Sequence, residues 1–174
     1  MAKRRARSKR ERPAETSLYG PVKAFLERQA YEVKGEIGSC DIVARRGDEP
    51  LVVVELKTAM SMELLLQGVD RLSITDAVYV AVPSPRGASA IHDRRLLKLL
   101  RRIGVGLLTV DLDRNGGGAV EVVLDPVPYR PRADRRRAGR LLGEFARRVG
   151  DPSAGGSARV KIVTAYRQEC LRLA

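Results

Sequence analysis

Histidine and cysteine are nearly absent from this chain of 174 residues, which has one His, His92, and two Cys, Cys40 and Cys170, at no paired spacing. That scarcity argues against a disulfide framework and against a zinc site, and it fits a reducing cytoplasm in which both thiols are buried or idle. No apolar run approaches the length that spans a bilayer, and the basic N-terminus lacks the apolar segment that follows in a signal peptide. A soluble cytoplasmic protein with no membrane partner is expected. The run Asn115-Gly116-Gly117-Gly118 lacks the strand-to-helix context and the Lys-Ser/Thr of a phosphate-cradling loop, which argues against ATP binding of that kind. Acids are also in short supply: Asp and Glu number 21 against 33 Lys and Arg, a net charge of +12. Such an imbalance attracts polyanions, so nucleic acid is the expected partner, although a codon bias toward Arg gives the same composition. Hydrophobic residues make up 44% of the chain, enough for the core of one ordinary domain with a small appendage.

What is present is concentrated in one segment. Gly38-Ser39-Cys40-Asp41-Ile42-Val43-Ala44 and Leu51-Val52-Val53-Val54-Glu55-Leu56-Lys57 flank the polar turn Arg46-Gly47-Asp48-Glu49-Pro50, the pattern of a β-hairpin. Side chains alternate along a strand, so Glu55 and Lys57 share a face, and closure symmetric about Asp48 sets Asp41 opposite Glu55. Opposed carboxylates repel, and the continuous apolar run before Glu55 predicts a sheet covered on both faces, where unpaired charge is costly. A divalent cation removes that cost. Mg2+ or Mn2+ takes one or two carboxylates and fills its other positions with water and phosphate, so Asp41 and Glu55 are the candidate metal ligands. Lys57 is placed to orient the activated water or to stabilise charge on phosphorus, and phosphodiester hydrolysis is the matching reaction. The other reading is a surface hairpin whose Glu55 and Lys57 pair with neighbours.

Asp41 followed by Glu55-Leu56-Lys57 at the end of an apolar strand resembles the PD-(D/E)XK nuclease superfamily, with Cys40 standing where the signature has Pro. From about Leu18 to Pro83 the chain resembles an uncharacterised bacterial family of phosphodiesterases within it, with Holliday-junction resolvases more distant. The resemblance implies a restriction-endonuclease-like core and a metal-dependent nuclease acting on nucleic acid, DNA first. It also implies an auxiliary acid on the first helix, for which Glu15 is the candidate, and a Gln on the second helix aimed at the substrate or the Lys, matched by Gln67. Both residues are equally explained as exposed helix positions, and a Glu near a helix start also answers the helix dipole. Many relatives are dimers, so a C2 homodimer is expected. The rival function is a catalytically silent nucleic-acid-binding or regulatory protein on the same fold.

Element order predicts an α/β fold: a mixed central sheet flanked by helices on both faces, with the site at one sheet edge. Residues 1–14 read as a disordered basic arm, 15–127 as the core, and 128–174, after the Pro-rich stretch 125–131, as a basic helical and helix-turn-helix-like appendage. Thr16 or Ser17 is expected to cap the first helix, with Leu18, Val22, Phe25 and Leu26 facing the core. A strand over 31–37 carries Glu36, read either as a supplement to the metal shell or as a solvated strand-edge Glu. Ser61 caps a second helix with Met62, Leu65, Leu66, Val69 and Leu72 as its packing face. A buried strand over 77–83 follows, then a helix over 91–103 that His92 and Asp93 introduce. That helix turns Arg94, Lys98 and Arg101 outward, and Lys161 and Arg167 mark a basic surface on the C-terminal helices. Each set is read either as a nucleic-acid contact or as a solvated face.

Overall fold

The continuous apolar runs form the buried strands of the sheet. The computed structural model describes residues 14–84, 93–114, 118–128, 132–153, 155 and 161–173. Most of the basic arm, His92 and loop residues 115–117 lie outside them. The chain forms two units, Met1–Arg130 and Pro131–Ala174.

In the first unit six strands lie in sequence order: β1 (Glu32–Ile37), β2 (Cys40–Arg45), β3 (Val52–Leu56), β4 (Ala77–Pro83), β5 (Gly106–Asp111) and β6 (Ala119–Leu124). The pairs β1·β2, β2·β3 and β5·β6 are antiparallel, whereas β3·β4 and β4·β5 are parallel. All five residues of β3 are buried, as expected of a central strand between parallel and antiparallel neighbours. Helix α1 (Thr16–Glu27) covers one face through Leu18, Val22 and Leu26, packed with Ile42, Val54, Leu56 and Leu108. Helices α2 (Met62–Arg71) and α3 (Arg94–Ile103) cover the other, where Leu64, Leu65 and Leu100 meet Val78, Val80, Val82 and Leu107. This is the mixed α/β sheet, flanked by helices on both faces, that the element order predicts.

Two local expectations need correcting. Neither Thr16 nor Ser17 caps α1: Glu15 is the N-cap residue, it makes no side-chain cap, and the Ser17 hydroxyl donates back to the Ala14 carbonyl at 2.5 Å. The backbone bonds Ser17 N–H to Ala14 O and Leu18 N–H to Glu15 O have already closed the first turn at those hydroxyls. In α2, capped by Ser61 as predicted, the buried residues are Leu64, Leu65 and Gly68, while Met62, Leu66 and Val69 are exposed. Gly68 causes the rotation. It lies so close to Val80 and Val105 that a Cβ there would stand 3.2 and 3.3 Å from them, so the helix turns that side to the sheet.

Gly106 is tighter still. A Cβ would fall 2.9 Å from the Leu124 carbonyl oxygen and onto the Tyr79 ring. Because the backbone cannot yield as a side-chain tip does, Gly106→Ala is expected to lower the urea midpoint by about 1–3 kcal/mol of stability.

The second unit holds α4 (Arg135–Arg147) and α5 (Ala165–Leu173). Apolar burial contributes little, since α4 has no buried residue and Leu141, Leu142 and Phe145 are exposed. Polar links join the pair instead. Glu144 Oε1 accepts from the Ala165 N–H at 2.9 Å and from Arg148 at 3.1 Å, while the Gln168 amide bonds both the N–H and the carbonyl of Val149. The Ala165 N–H, then Arg148, hold the Glu144 carboxyl below the ordinary glutamate range. A depressed pKa contributes stability above the ordinary value that is lost as pH falls. Intrinsic-rate-corrected exchange of the Ala165 amide should therefore accelerate on acidification through that range, and Glu144→Gln should flatten the dependence. Cys170, expected buried or idle, is exposed because it sits on this thinly covered helix, whereas Cys40 is buried.

Candidate active site

The hairpin between β2 and β3 closes as the symmetric register requires, with Ile42 opposite Val54, Val43 opposite Val53 and Ala44 opposite Val52. The next step of that ladder is Asp41 against Glu55, but the regular pairing ends before it. The Asp41 side chain takes the place of a backbone partner: the Leu56 N–H donates to Asp41 Oδ2 at 2.7 Å. Glu55 pairs with Val80 of β4, which pairs with Leu107, so its side chain lies on the face that α2 and α3 cover. There it is 1% exposed and within hydrogen-bonding reach of the Asp41 carboxyl. The site thus sits one and two strands in from the β1 edge rather than at it, because β1 adds outside the acid-bearing hairpin.

A carboxylate in that position needs a positive partner, and α2 supplies one. Arg71 Nε donates to Glu55 Oε1 at 2.6 Å, and its Nη2 donates to the carbonyl of Ser39, in the turn before β2. Burial pushes the Glu55 carboxyl up, Arg71 pulls it back, and the neighbouring Asp41 pushes it up again, for a net rise. Asp41 Oδ1 and Glu55 Oε2 take no hydrogen bond from a protein donor among the described residues.

Lys57 follows β3, its N–H donating to the Ala81 carbonyl so that the parallel ladder runs one step past the strand. Its ammonium lies 3.6 Å from Glu15, at the mouth of α1, and 3.5 Å from Glu63, in the first turn of α2. Partial burial pulls its pKa down, but Glu15 and then Glu63 outweigh that and leave it raised. Lys57 is therefore a fixed cation and donor at neutral pH, not a base.

Glu63, Gln67 and Arg71 follow one another at four-residue spacing, so they form a row along the flank of α2 beside its buried face. Glu63 meets Lys57 and Arg71 meets Glu55, which places Gln67 between those two contacts. Its Oε1 is buried and has no hydrogen-bond partner among the described residues. Such an orphan is unusual in a folded interior and marks an acceptor that the fold leaves open.

Of the residues singled out in the sequence, the structure brings Asp41 and Glu55 together, sets Lys57 at the same strand end, and turns Gln67 along the α2 flank. Glu15 reaches Lys57, not the two acids. Glu36 stands in register opposite Asp41, between the pairs Gly35–Ile42 and Ile37–Cys40, yet its φ of 54° breaks the strand alternation and its side chain is exposed with no partner among the described residues. Arg94, Lys98 and Arg101 are exposed on α3. Lys161 and Arg167 are exposed in the second unit, where the Arg167 guanidinium donates to the Ile162 carbonyl at 2.9 Å. Arg71 and Glu63 were not foreseen. The signal was available in their spacing from Gln67 and in the rule that a buried Glu55 demands a cation.

Among the described residues no group of three or more His, Cys, Asp and Glu side chains is placed to hold a metal ion. The pair Asp41 and Glu55 is still a fitting donor set for a hard cation, which needs only one or two carboxylates and takes its remaining ligands from water and phosphate. Among those residues, too, no helix is long and apolar enough to cross a membrane.

No curated protein and no solved structure matches the chain. One family model does, over a segment that begins within β5 and so lies beyond Asp41, Glu55 and Lys57 in sequence. The mixed sheet and its flanking helices are consistent with a restriction-endonuclease-like fold, and the PD-(D/E)XK nucleases generally use divalent metals. Residues 108–174 match the family described as "Putative PD-(D/E)XK phosphodiesterase (DUF2161)", whose description names the superfamily that Asp41, Glu55 and Lys57 resemble.

Proposed function

We propose that the protein is a Mg2+- or Mn2+-dependent phosphodiesterase that hydrolyses nucleic acid, DNA in the first instance, at Asp41, Glu55 and Lys57. The observation that carries this reading is the Glu55 carboxylate, 1% exposed beside a second carboxylate at the end of a central strand. Folding alone gives no reason to put two acids there, since an apolar pair would cost less.

Asp41 Oδ1 and Glu55 Oε2 are the oxygens that would hold the cation. When bound, the cation supplies positive charge to the phosphoryl oxygens and makes a neighbouring water more acidic. In the cation-free protein Asp41 is kept in position by the Leu56 N–H and Glu55 by Arg71. Lys57, held protonated by Glu15 and Glu63, orients the attacking water or donates to the charge that builds on phosphorus. Gln67 offers an unused buried acceptor on the same flank.

A net charge of +12 supports a polyanionic substrate. The exposed Arg94, Lys98, Arg101, Lys161 and Arg167 are the proposed phosphate contacts. The test is incubation with linear, branched and single-stranded DNA and RNA, with and without Mg2+ or Mn2+. Cation-dependent cutting supports the proposal. Salt-sensitive binding with no cutting under any cation would replace it with a silent nucleic-acid-binding protein.

A further inference from the structure

We infer that Arg71 is a built-in counter-ion at the metal site: it neutralises Glu55 in the cation-free protein and competes with the incoming cation for that carboxylate. The inference rests on the reading of Asp41 and Glu55 as cation ligands.

Three observations lead to it. Glu55 is too deeply buried for water to solvate its charge, and Asp41 beside it adds a like charge, so the cation-free site needs a positive group from the chain. Arg71 is that group, but it does not grip Glu55 in the bidentate way that a guanidinium can grip a carboxylate. Its fork is split, with Nε on Glu55 Oε1 and Nη2 on the Ser39 carbonyl, so that Arg71 leaves Glu55 Oε2 untaken. A guanidinium cannot shed its proton to make room, because it is charged at every working pH. A divalent ion at Asp41 and Glu55 therefore meets a fixed positive charge at hydrogen-bond distance from one of its own ligands. Binding must work against that charge or move it.

The third observation says where it moves. Gln67 is one helical turn before Arg71 on the same flank of α2, and its buried Oε1 has no partner among the described residues. Residues four apart on a helix reach each other. On this account a guanidinium leaving Glu55 finds its acceptor at Gln67, and the orphan atom is the second seat of a two-position switch. The Arg71 charge then sets the cation concentration at which the site loads, offsetting the Glu55 charge below that level.

The experiment measures Mn2+ dissociation constants without nucleic acid, by calorimetry and by the electron spin resonance of free Mn2+. Wild type is compared with Arg71→Gln, which keeps a donor but not the charge, with Arg71→Lys, which keeps the charge, and with Gln67→Leu, which removes the second seat. Arg71→Gln should bind Mn2+ about tenfold tighter or more. Arg71→Lys should stay near wild type, and Gln67→Leu should bind more weakly. In melting scans Arg71→Gln should fall below wild type without the ion and recover much of that gap when Mn2+ is added. If wild type binds Mn2+ and a folded Arg71→Gln binds it no more tightly, the counter-ion inference is overturned while the metal site stands. If neither binds Mn2+, both fall. Should Arg71→Gln not fold, Gln67→Leu decides: unchanged Mn2+ affinity overturns the inference and weakened affinity supports it.

Discussion

Asp41→Asn should abolish cation-dependent hydrolysis and leave the fold standing, whereas Asp41→Ala should damage both. The difference lies in a single hydrogen bond. Asp41 Oδ2 accepts the Leu56 N–H at 2.7 Å where the β2·β3 ladder has already ended, and an Asn carbonyl can do the same. Ala cannot, and leaving that part-buried N–H unpaired costs about 1–3 kcal/mol. What Asn removes is the anionic ligand. If the cation contributes several kcal/mol of charge stabilisation, and each ~1.4 kcal/mol is tenfold in rate, the loss is on the order of a thousandfold or more. Lys57→Ala separates the same two quantities from the other side. Its ion pairs with Glu15 and Glu63 are partly exposed, so stability should change by about 0–1 kcal/mol, while removing a preorganised donor should slow turnover roughly a hundredfold to a thousandfold. Initial rates on a DNA substrate with Mn2+, read beside urea unfolding curves, check both. A wild-type cutting rate in Asp41→Asn would remove Asp41 from the site.

The parts of this site that were legible in the sequence are those fixed by local rules. Strand alternation and the symmetric turn are enough to set Asp41 against Glu55, and the continuous apolar run is enough to make β3 a covered central strand. The parts that were not legible depend on how elements meet. Met62, Leu66 and Val69 look like a packing face by spacing, but Gly68 lets the backbone approach Val80 and Val105 and so picks a different side of α2. That rotation turns the row of Glu63, Gln67 and Arg71 toward the strand ends, and with it comes the Arg71–Glu55 pair, sixteen residues apart in sequence. Likewise Thr16 and Ser17 have the chemistry of caps, but the first turn closes through Ala14 and Glu15. Glu15 thereby stands at the helix mouth, beside Lys57. No periodicity encodes the positive φ at Glu36, which sets its carboxylate apart from the row that its register would give it.

Glu55→Leu should destabilise the protein by about 3–5 kcal/mol, and adding Arg71→Leu should restore that loss and carry stability to the wild-type level or about 1–4 kcal/mol beyond it. The single change strands a guanidinium that is 14% exposed without the carboxylate it is bonded to. The double change removes both charges from a surface that Leu64, Leu65, Val80 and Leu107 already line, relieves Asp41 of its neighbour, and gives up a bond to Ser39 whose carbonyl water can satisfy. Hydrolysis should be lost in both variants. Urea midpoints for the wild type, the two single variants and the double variant form a complete cycle. If the double variant is as unstable as Glu55→Leu alone, the ion pair is structural, and the argument from its position to a function fails. If stability returns while activity does not, the fold has no need of these charges. The burial of Glu55 then finds its explanation in the chemistry that a carboxylate, a competing guanidinium and a divalent cation perform there.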